Sequence, residues 1–265
     1  MSSILDILWL VPLGFVAGGY GTLIGAGGGF ILAPSLLLIY PGEAPETLTV
    51  ISLSVVFFNA LSGMLAYLRS GRIDFKAGLI FGLATMPGAV IGALTTAAIS
   101  RARFNLAFGI LLIAVATFLA LNPSKNTVVA MAQSGRDGSR QLNLARIAIG
   151  AVISTIFGFI SSFLGIGGGF LYVPALVYLL DFPVHVATAT SLFVLALTSL
   201  TGSATHFAAG LFHHGFRRAI ALSIGAIVGA QVAARLSQRI RGDWIIRSLA
   251  VALALVGLRL VTLAL

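Results

Sequence analysis

Gly25-Ala26-Gly27-Gly28-Gly29-Phe30, followed by Pro34, returns 140 residues later as Gly165-Ile166-Gly167-Gly168-Gly169-Phe170, followed by Pro174. Each copy interrupts an otherwise apolar run. At membrane depth such irregular backbone is tolerated only where it is packed in protein or lines a cavity, because lipid offers its N–H and C=O groups no partner. Two breaks at corresponding positions in two halves are the sequence mark of a carrier's substrate site.

The rest of the chain fits a membrane. Its 265 residues are 58% hydrophobic and only 9% charged, with a mean hydropathy of +1.07, whereas globular domains carry roughly 25% charged residues. A water-soluble fold is excluded. The absence of cysteine rules out disulfides, iron–sulfur clusters and thiolate metal sites, and no cofactor or metal is expected. The net charge of +9 does not call for a nucleic-acid partner. The basic residues sit in short connections between apolar runs, as the positive-inside rule requires of a protein whose partner is a lipid bilayer. The first Lys or Arg is Arg69, and no small-residue cleavage site precedes the glycines. The stretch from about Ile4 onward is therefore expected to be a retained membrane segment, not a signal peptide.

Apolar runs and punctuation give five segments per half: 4–24, 29–40, 47–68, 77–99 and 103–121, then 143–164, 169–180, 184–208, 217–238 and 244–264. The expected organisation is an all-α polytopic membrane protein with a first transmembrane repeat at 1–121, a polar linker at 122–142 and a second repeat at 143–265. The halves match beyond the glycines. Ser52-Leu53 corresponds to Ser191-Leu192, Ser62-Gly63 to Thr201-Gly202 and Gly71 to Gly210, all at an offset of 139. The second segment of each half is too short to cross, since twelve helical residues cover about 18 Å of a hydrocarbon core of about 30 Å. Each is a half-helix, or a short helix completed by the partly extended stretch that follows.

Charge leaves the sidedness of the repeats open. With an odd number of crossings per half, or with glycine hairpins that re-enter without crossing, the repeats are inverted and one face carries 11 of the 16 Lys and Arg residues. With four crossings the repeats are parallel and the split is 10 to 6. Inversion is the preferred expectation, with the N-terminus outside. No Lys or Arg holds that terminus in the cytoplasm, and Glu43 and Glu46 fall on the same outer side.

The doubled G-x-G-G-G-F-x-x-x-P pattern, one copy opening each half, resembles the TauE/SafE sulfite exporter family, also called the sulfonate uptake permeases. The resemblance covers nearly the whole chain. It implies a permease of the cytoplasmic membrane for small sulfur oxyanions or organosulfonates such as sulfite, sulfoacetate or sulfolactate. It fixes neither substrate nor direction, because the family includes importers and exporters.

The candidate substrate-binding residues are read from chemistry. Gly25, Gly27, Gly28, Gly29 and Phe30, with Gly165, Gly167, Gly168, Gly169 and Phe170, allow close backbone approach and start short helices whose free N–H groups and positive dipole end favour an anion. Close helix packing is the alternative role for these glycines, and it is the preferred one for Gly88 and Gly92. The third segment of each half supplies neutral donors: Ser52 and Asn59 in the first, Thr190, Ser191 and Thr198 in the second. Helix–helix hydrogen bonding or back-bonding within the helix is the alternative for each. His206, equivalent to Tyr67 under the repeat, could titrate near neutral pH, or could be an interfacial residue near a helix end. No acid lies at a clear midplane position, so a carboxylate relay is not expected. Coupling to H⁺ or Na⁺ stays open.

The function expected is a secondary transporter that carries a small sulfur-containing anion by alternating access. A passive anion channel is an alternative. A membrane-embedded enzyme such as a lipid phosphatase is a more distant one, since the segments contain no acidic pair, His-rich metal spacing or Arg-containing phosphate motif.

Overall fold

The computed structural model describes residues 8–68, 71–121, 144–178, 180, 182–212, 215–236 and 242–263. The linker expected at 122–142 lies outside the described residues, as do Asp6, Arg69, Asp181, His213, His214, Arg239 and Arg241 and the side chains of Arg146, His185, Asp243 and Arg247. The described residues are helical, with no strand among them. In chain order the helices are α1 (Leu10–Ile24), α2 (Gly29–Ile39), α3 (Pro45–Leu68), α4 (Phe75–Ala97), α5 (Arg101–Leu121), α6 (Leu144–Leu164), α7 (Gly169–Tyr178), α8 (Val184–Ala208), α9 (Phe216–Leu236) and α10 (Gly242–Thr262). Six of them are long and apolar enough to cross a membrane: α3, α4, α5, α6, α8 and α9.

Glycine ends α1. Gly25 adopts a left-handed conformation (φ 81°) and its N–H caps the carbonyls of Gly21 and Thr22, the usual way a helix stops. Gly27 and Gly28 are left-handed as well, and Gly165, Gly167 and Gly168 repeat the pattern in the second half. Three such residues within four positions cannot continue a right-handed helix.

The helices are built for lipid. α4 buries Gly78, Gly82, Gly88, Ala89, Gly92 and Ala93 and exposes Leu79, Leu83 and Ile91. α9 likewise buries Gly225, Ala226 and Gly229 and exposes Ile220, Ile224 and Val228. Small residues inside and large ones outside is the membrane arrangement, because backbones that approach closely gain dispersion contacts while large apolar chains lose nothing by facing lipid. Gly88 and Gly92 lie directly on the backbone of Thr155 and Phe159 in α6, and Gly225 and Gly229 on that of Val11 and Phe15 in α1. The packing role preferred for Gly88 and Gly92 is therefore the one they fill.

Two compact units are formed, Met1–Ala97 with Arg140–Gln238 and Ala98–Ser139 with Arg239–Leu265. Each draws on both halves of the sequence. The smaller contains α5 packed on α10, with Gly109 against the backbone of Gly257. In the larger, α9 packs on α1 and α3, while α4 packs on α6 and α8. Residue pairs give the directions. Gly14 meets Leu222 and Gly18 meets Ala226, so α1 and α9 run parallel; Ser62 bonds Ile227 while Ile51 meets Gly215, so α3 runs with them. Gly78 meets Phe193 and Gly82 meets Leu197, and Gly88 and Gly92 meet Thr155 and Phe159, so α4, α6 and α8 run together. Gly63 meets Leu192 and Gly202 meets Leu53, so α3 and α8 are antiparallel. Since α1 and α3 point the same way, α2 between them must run back, and α7 does the same between α6 and α8.

At the end of the unit where α2 stops and α9 starts, Arg218 makes a 2.8 Å ion pair with Glu43 and lies 4.1 Å over the Tyr40 ring. The pair ties the loop after α2 to the first turn of α9.

Candidate functional site

The two glycine breaks touch. Gly29 lies against the carbonyl of Ile166, and a Cβ at Gly169 would come 2.6 Å from the Gly25 carbonyl oxygen and 2.7 Å from the Ala26 Cα. Each break also rests on the long helix of the opposite half. A Cβ at Gly25 would meet Thr188 at 2.8 Å and the Ser191 hydroxyl at 3.0 Å, while one at Gly165 would meet the Thr49 backbone at 2.9 Å. Hydroxyls tie these contacts reciprocally. Ser52 donates to the Gly165 carbonyl at 2.6 Å, and Ser191 shares its one hydroxyl proton between the Gly25 carbonyl at 2.9 Å and the Thr188 carbonyl of its own helix at 2.8 Å. All these groups are buried.

The short helices start here. The N–H groups of Ile31 and Leu32 both reach the Gly28 carbonyl, and those of Leu171 and Tyr172 reach Gly168. The N–H groups ahead of them, at Gly29, Phe30, Gly169 and Phe170, are first-turn donors without an intrahelical acceptor. The Phe30 and Phe170 rings that follow the two breaks pack on each other, with centroids 6.2 Å apart. Val56 and Leu195 fill the space over Gly27 and Gly167. Two helix starts thus come together in a buried interior, with Val56 and Leu195 packed over the glycines between them.

The remaining candidates divide. Asn59 is fully buried two turns above Ser52 on α3; its Oδ1 accepts from Thr22 at 3.4 Å and its amide nitrogen is unpartnered. Thr190 and Thr198 turn away from the breaks. Thr190 accepts the Asp74 N–H at 3.0 Å, and Thr198 lies 2.9 Å from the Thr85 hydroxyl while bonding the Val194 carbonyl. Both face α4, as helix–helix and back-bonding residues do. His206 sits in the last turn of α8 and is fully buried within the protein. Ser161, Ser162 and Thr49 belong to the neighbourhood of the breaks although chemistry alone did not single them out. The available signals were that Ser161-Ser162 directly precede the second break and that Thr49 is the repeat partner of Thr188. Among the described residues no three His, Asp or Glu side chains gather as a metal-ligand set.

The sequence profile of the family described as sulfite exporter TauE/SafE matches residues 10–260, a stretch that contains both breaks and every helix just described except the last two residues of α10. The chain belongs to the TauE/SafE family. It is 34% identical over 265 residues to the probable membrane transporter protein YunE of Bacillus subtilis, covering 95% of this chain and 96% of the relative. A probable membrane transporter protein of Methanocaldococcus jannaschii is 28% identical, covering 89% of each chain. No solved structure matches. As a member of TauE/SafE with six helices able to cross a bilayer, the chain is a multi-pass membrane transporter.

Proposed function

We propose that this TauE/SafE protein is a secondary transporter that carries a small sulfur-containing anion, sulfite or an organosulfonate such as sulfoacetate, across the cytoplasmic membrane by alternating access. The observation that carries this reading is the meeting of two broken helix starts, cross-tied by Ser52 and Ser191, at the seam between α3 and α8. Free first-turn N–H groups and neutral hydroxyls ligate an oxyanion without a fixed charge that would trap it, which suits a carrier that must release its cargo. The breaks Gly25–Phe30 and Gly165–Phe170, with Ser52 and Ser191 and with Asn59 flanking them, form the proposed binding residues. Thr190 and Thr198 are better read as packing residues.

The same geometry supports inverted repeats. Helices that correspond under the repeat, α3 with α8 and α5 with α10, run antiparallel, as a twofold axis in the membrane plane requires; an axis along the membrane normal would make them parallel. Motion would then occur at the α3–α8 seam, between one body of α1, α2, α3 and α9 and another of α6, α7, α8 and α4.

The test is a panel of sulfite, sulfoacetate, sulfolactate, sulfate and phosphate, read first as thermal stabilisation of the purified protein and then as accumulation in vesicles. A sulfur anion should raise Tm and accumulate against its gradient when a driving gradient is imposed. Flux that only equilibrates under every imposed gradient would mark a channel. A panel with no effect in either measurement would remove the substrate class.

A further inference from the structure

His206 is an imidazole with no exposure to solvent, and neither of its ring nitrogens has a hydrogen-bond partner among the described residues. Its ring lies beside the backbone of Ser162 without completing a bond of standard geometry. The hydroxyls of Ser203, one turn earlier on α8, and of Ser161 and Ser162 on α6 are also buried and, among the described residues, unpartnered. A buried polar atom left unpaired costs about 1–3 kcal/mol, and five of them gathered at α6 and the end of α8 call for a function. The cluster also reaches the proposed substrate site. Ser162 packs on Gly202, one turn before His206, and neighbouring Ser161 packs on Gly168, where a Cβ would come 3.0 Å from its own. Gly168 is the residue whose carbonyl receives the first N–H groups of α7.

We infer that His206, with Ser162 and Ser203, is the proton-binding station that couples anion movement to proton movement. The inference rests on the anion-carrier reading above and names its coupling ion. Neutral imidazole keeps one lone pair. That nitrogen takes a proton from water arriving from the face where α8 ends, an N–H bond forming as the water-borne O–H bond breaks. The imidazolium and the anion at the breaks then stabilise each other in a low-dielectric interior, and each raises the affinity for the other by the same factor. After the seam reorients, anion and proton leave together to water on the opposite face, and His206 returns neutral.

The charges that face α8 from its neighbours do not offer another station. α3 brings Glu46 in its first turn. α4 brings Asp74 and Lys76 at its start, and Asp74 is tied to Thr190, far along α8 from His206. α6 and α7 bring no described charged side chain, and the Tyr172 hydroxyl of α7 donates to the Ser154 carbonyl. The first half has no counterpart. Tyr67, Thr22, Gly21 and Met64 stand where the second half has His206, Ser162, Ser161 and Ser203, and Thr22 is already bonded to Asn59. An otherwise paired site thus carries a histidine on one side only.

Full-length protein in vesicles with an entrapped pH-sensitive dye tests this, with sulfoacetate and sulfite as probes. In wild type a sulfoacetate gradient should drive protons in the same direction as the anion. His206→Gln and His206→Tyr should lose that proton flux and the pH dependence of uptake, yet keep sulfoacetate exchange at zero gradient and a stabilisation by sulfoacetate in a melt that no longer grows as the pH falls. Ser162→Ala should lower the proton flux several-fold, and Arg217→Gln, at the exposed start of α9, should leave it unchanged. Anion transport in wild type without proton flux, or proton flux retained in both His206 variants, overturns the inference and spares the carrier. No movement of either probe in wild type overturns both.

Discussion

Gly28 and Gly168 adopt φ of 76° and 73°, a region that costs an L-residue roughly 1–2 kcal/mol and a β-branched one more. Space is short too, since a Cβ at Gly28 would lie 2.5 Å from the Ala17 carbonyl oxygen. Gly28→Val and Gly168→Val should therefore abolish sulfur-anion uptake while the protein still inserts, as judged by membrane fractionation and size-exclusion chromatography. Normal uptake by a well-folded Gly168→Val protein would reduce the glycines to packing residues. Ser52 and Ser191 make a matched pair of bonds to opposite breaks. Ser52→Ala and Ser191→Ala should each lower stability by about 1 kcal/mol, the net worth of one hydrogen bond. Because both bonds close the same seam, the double variant should depart from additivity by about 0.5 kcal/mol or more. Additive losses in a denaturation series would mean that the two breaks are held independently.

Element boundaries were legible because glycine, proline and charge punctuate apolar runs. The expected 29–40 and 184–208 became Gly29–Ile39 and Val184–Ala208. The breaks were legible for the same reason, and so was their proximity, given a repeat. Which helix packs on which was not. Gly88 and Gly92 on α4 and Gly225 and Gly229 on α9 present the same small face, and nothing in that pattern says that α4 leaves its own half for α6 and α8 while α9 leaves for α1 and α3. The rotation of α8 was equally hidden. Its hydroxyl residues alternate around the helix, so only packing separates Ser191, on the break, from Thr190, on α4. The burial of His206 was hidden too, because its place near a helix end suggests exposure. Close backbone contact is the part that can be broken at this scale. Gly92→Leu would push its side chain into the Phe159 carbonyl and should cost about 1–3 kcal/mol or prevent folding, as overpacking does. Ile91→Leu, one residue away on the lipid-facing side, should leave the melting temperature unchanged. Equal effects of the two would mean that the α4–α6 interface is loose.

At the scale of the whole molecule the exchange of α4 and α9 between halves makes neither half a self-contained body, and it ties the sidedness of the chain to the antiparallel α3 and α8. Gly71 and Gly210 correspond under the repeat and follow the ends of these two helices. Both are exposed, and a Cβ at either meets nothing within 4 Å. The chain has no cysteine of its own, so Gly71→Cys and Gly210→Cys each give a single reactive thiol. The left-handed φ at both sites, 64° and 67°, adds a backbone cost of roughly 1–2 kcal/mol that is the same for the two variants and so cancels in their comparison. Inverted repeats require that a membrane-impermeant maleimide label one of them only from outside intact cells and the other only after the membrane is opened. The basic residues Arg72 and Lys76 beside Gly71 predict that this is the cytoplasmic one, and Gly210, near Arg217 and the Arg218–Glu43 pair, the outer one. Labelling of both thiols from the same side would make the repeats parallel. It would also contradict the antiparallel packing of α3 on α8 through Gly63 and Gly202.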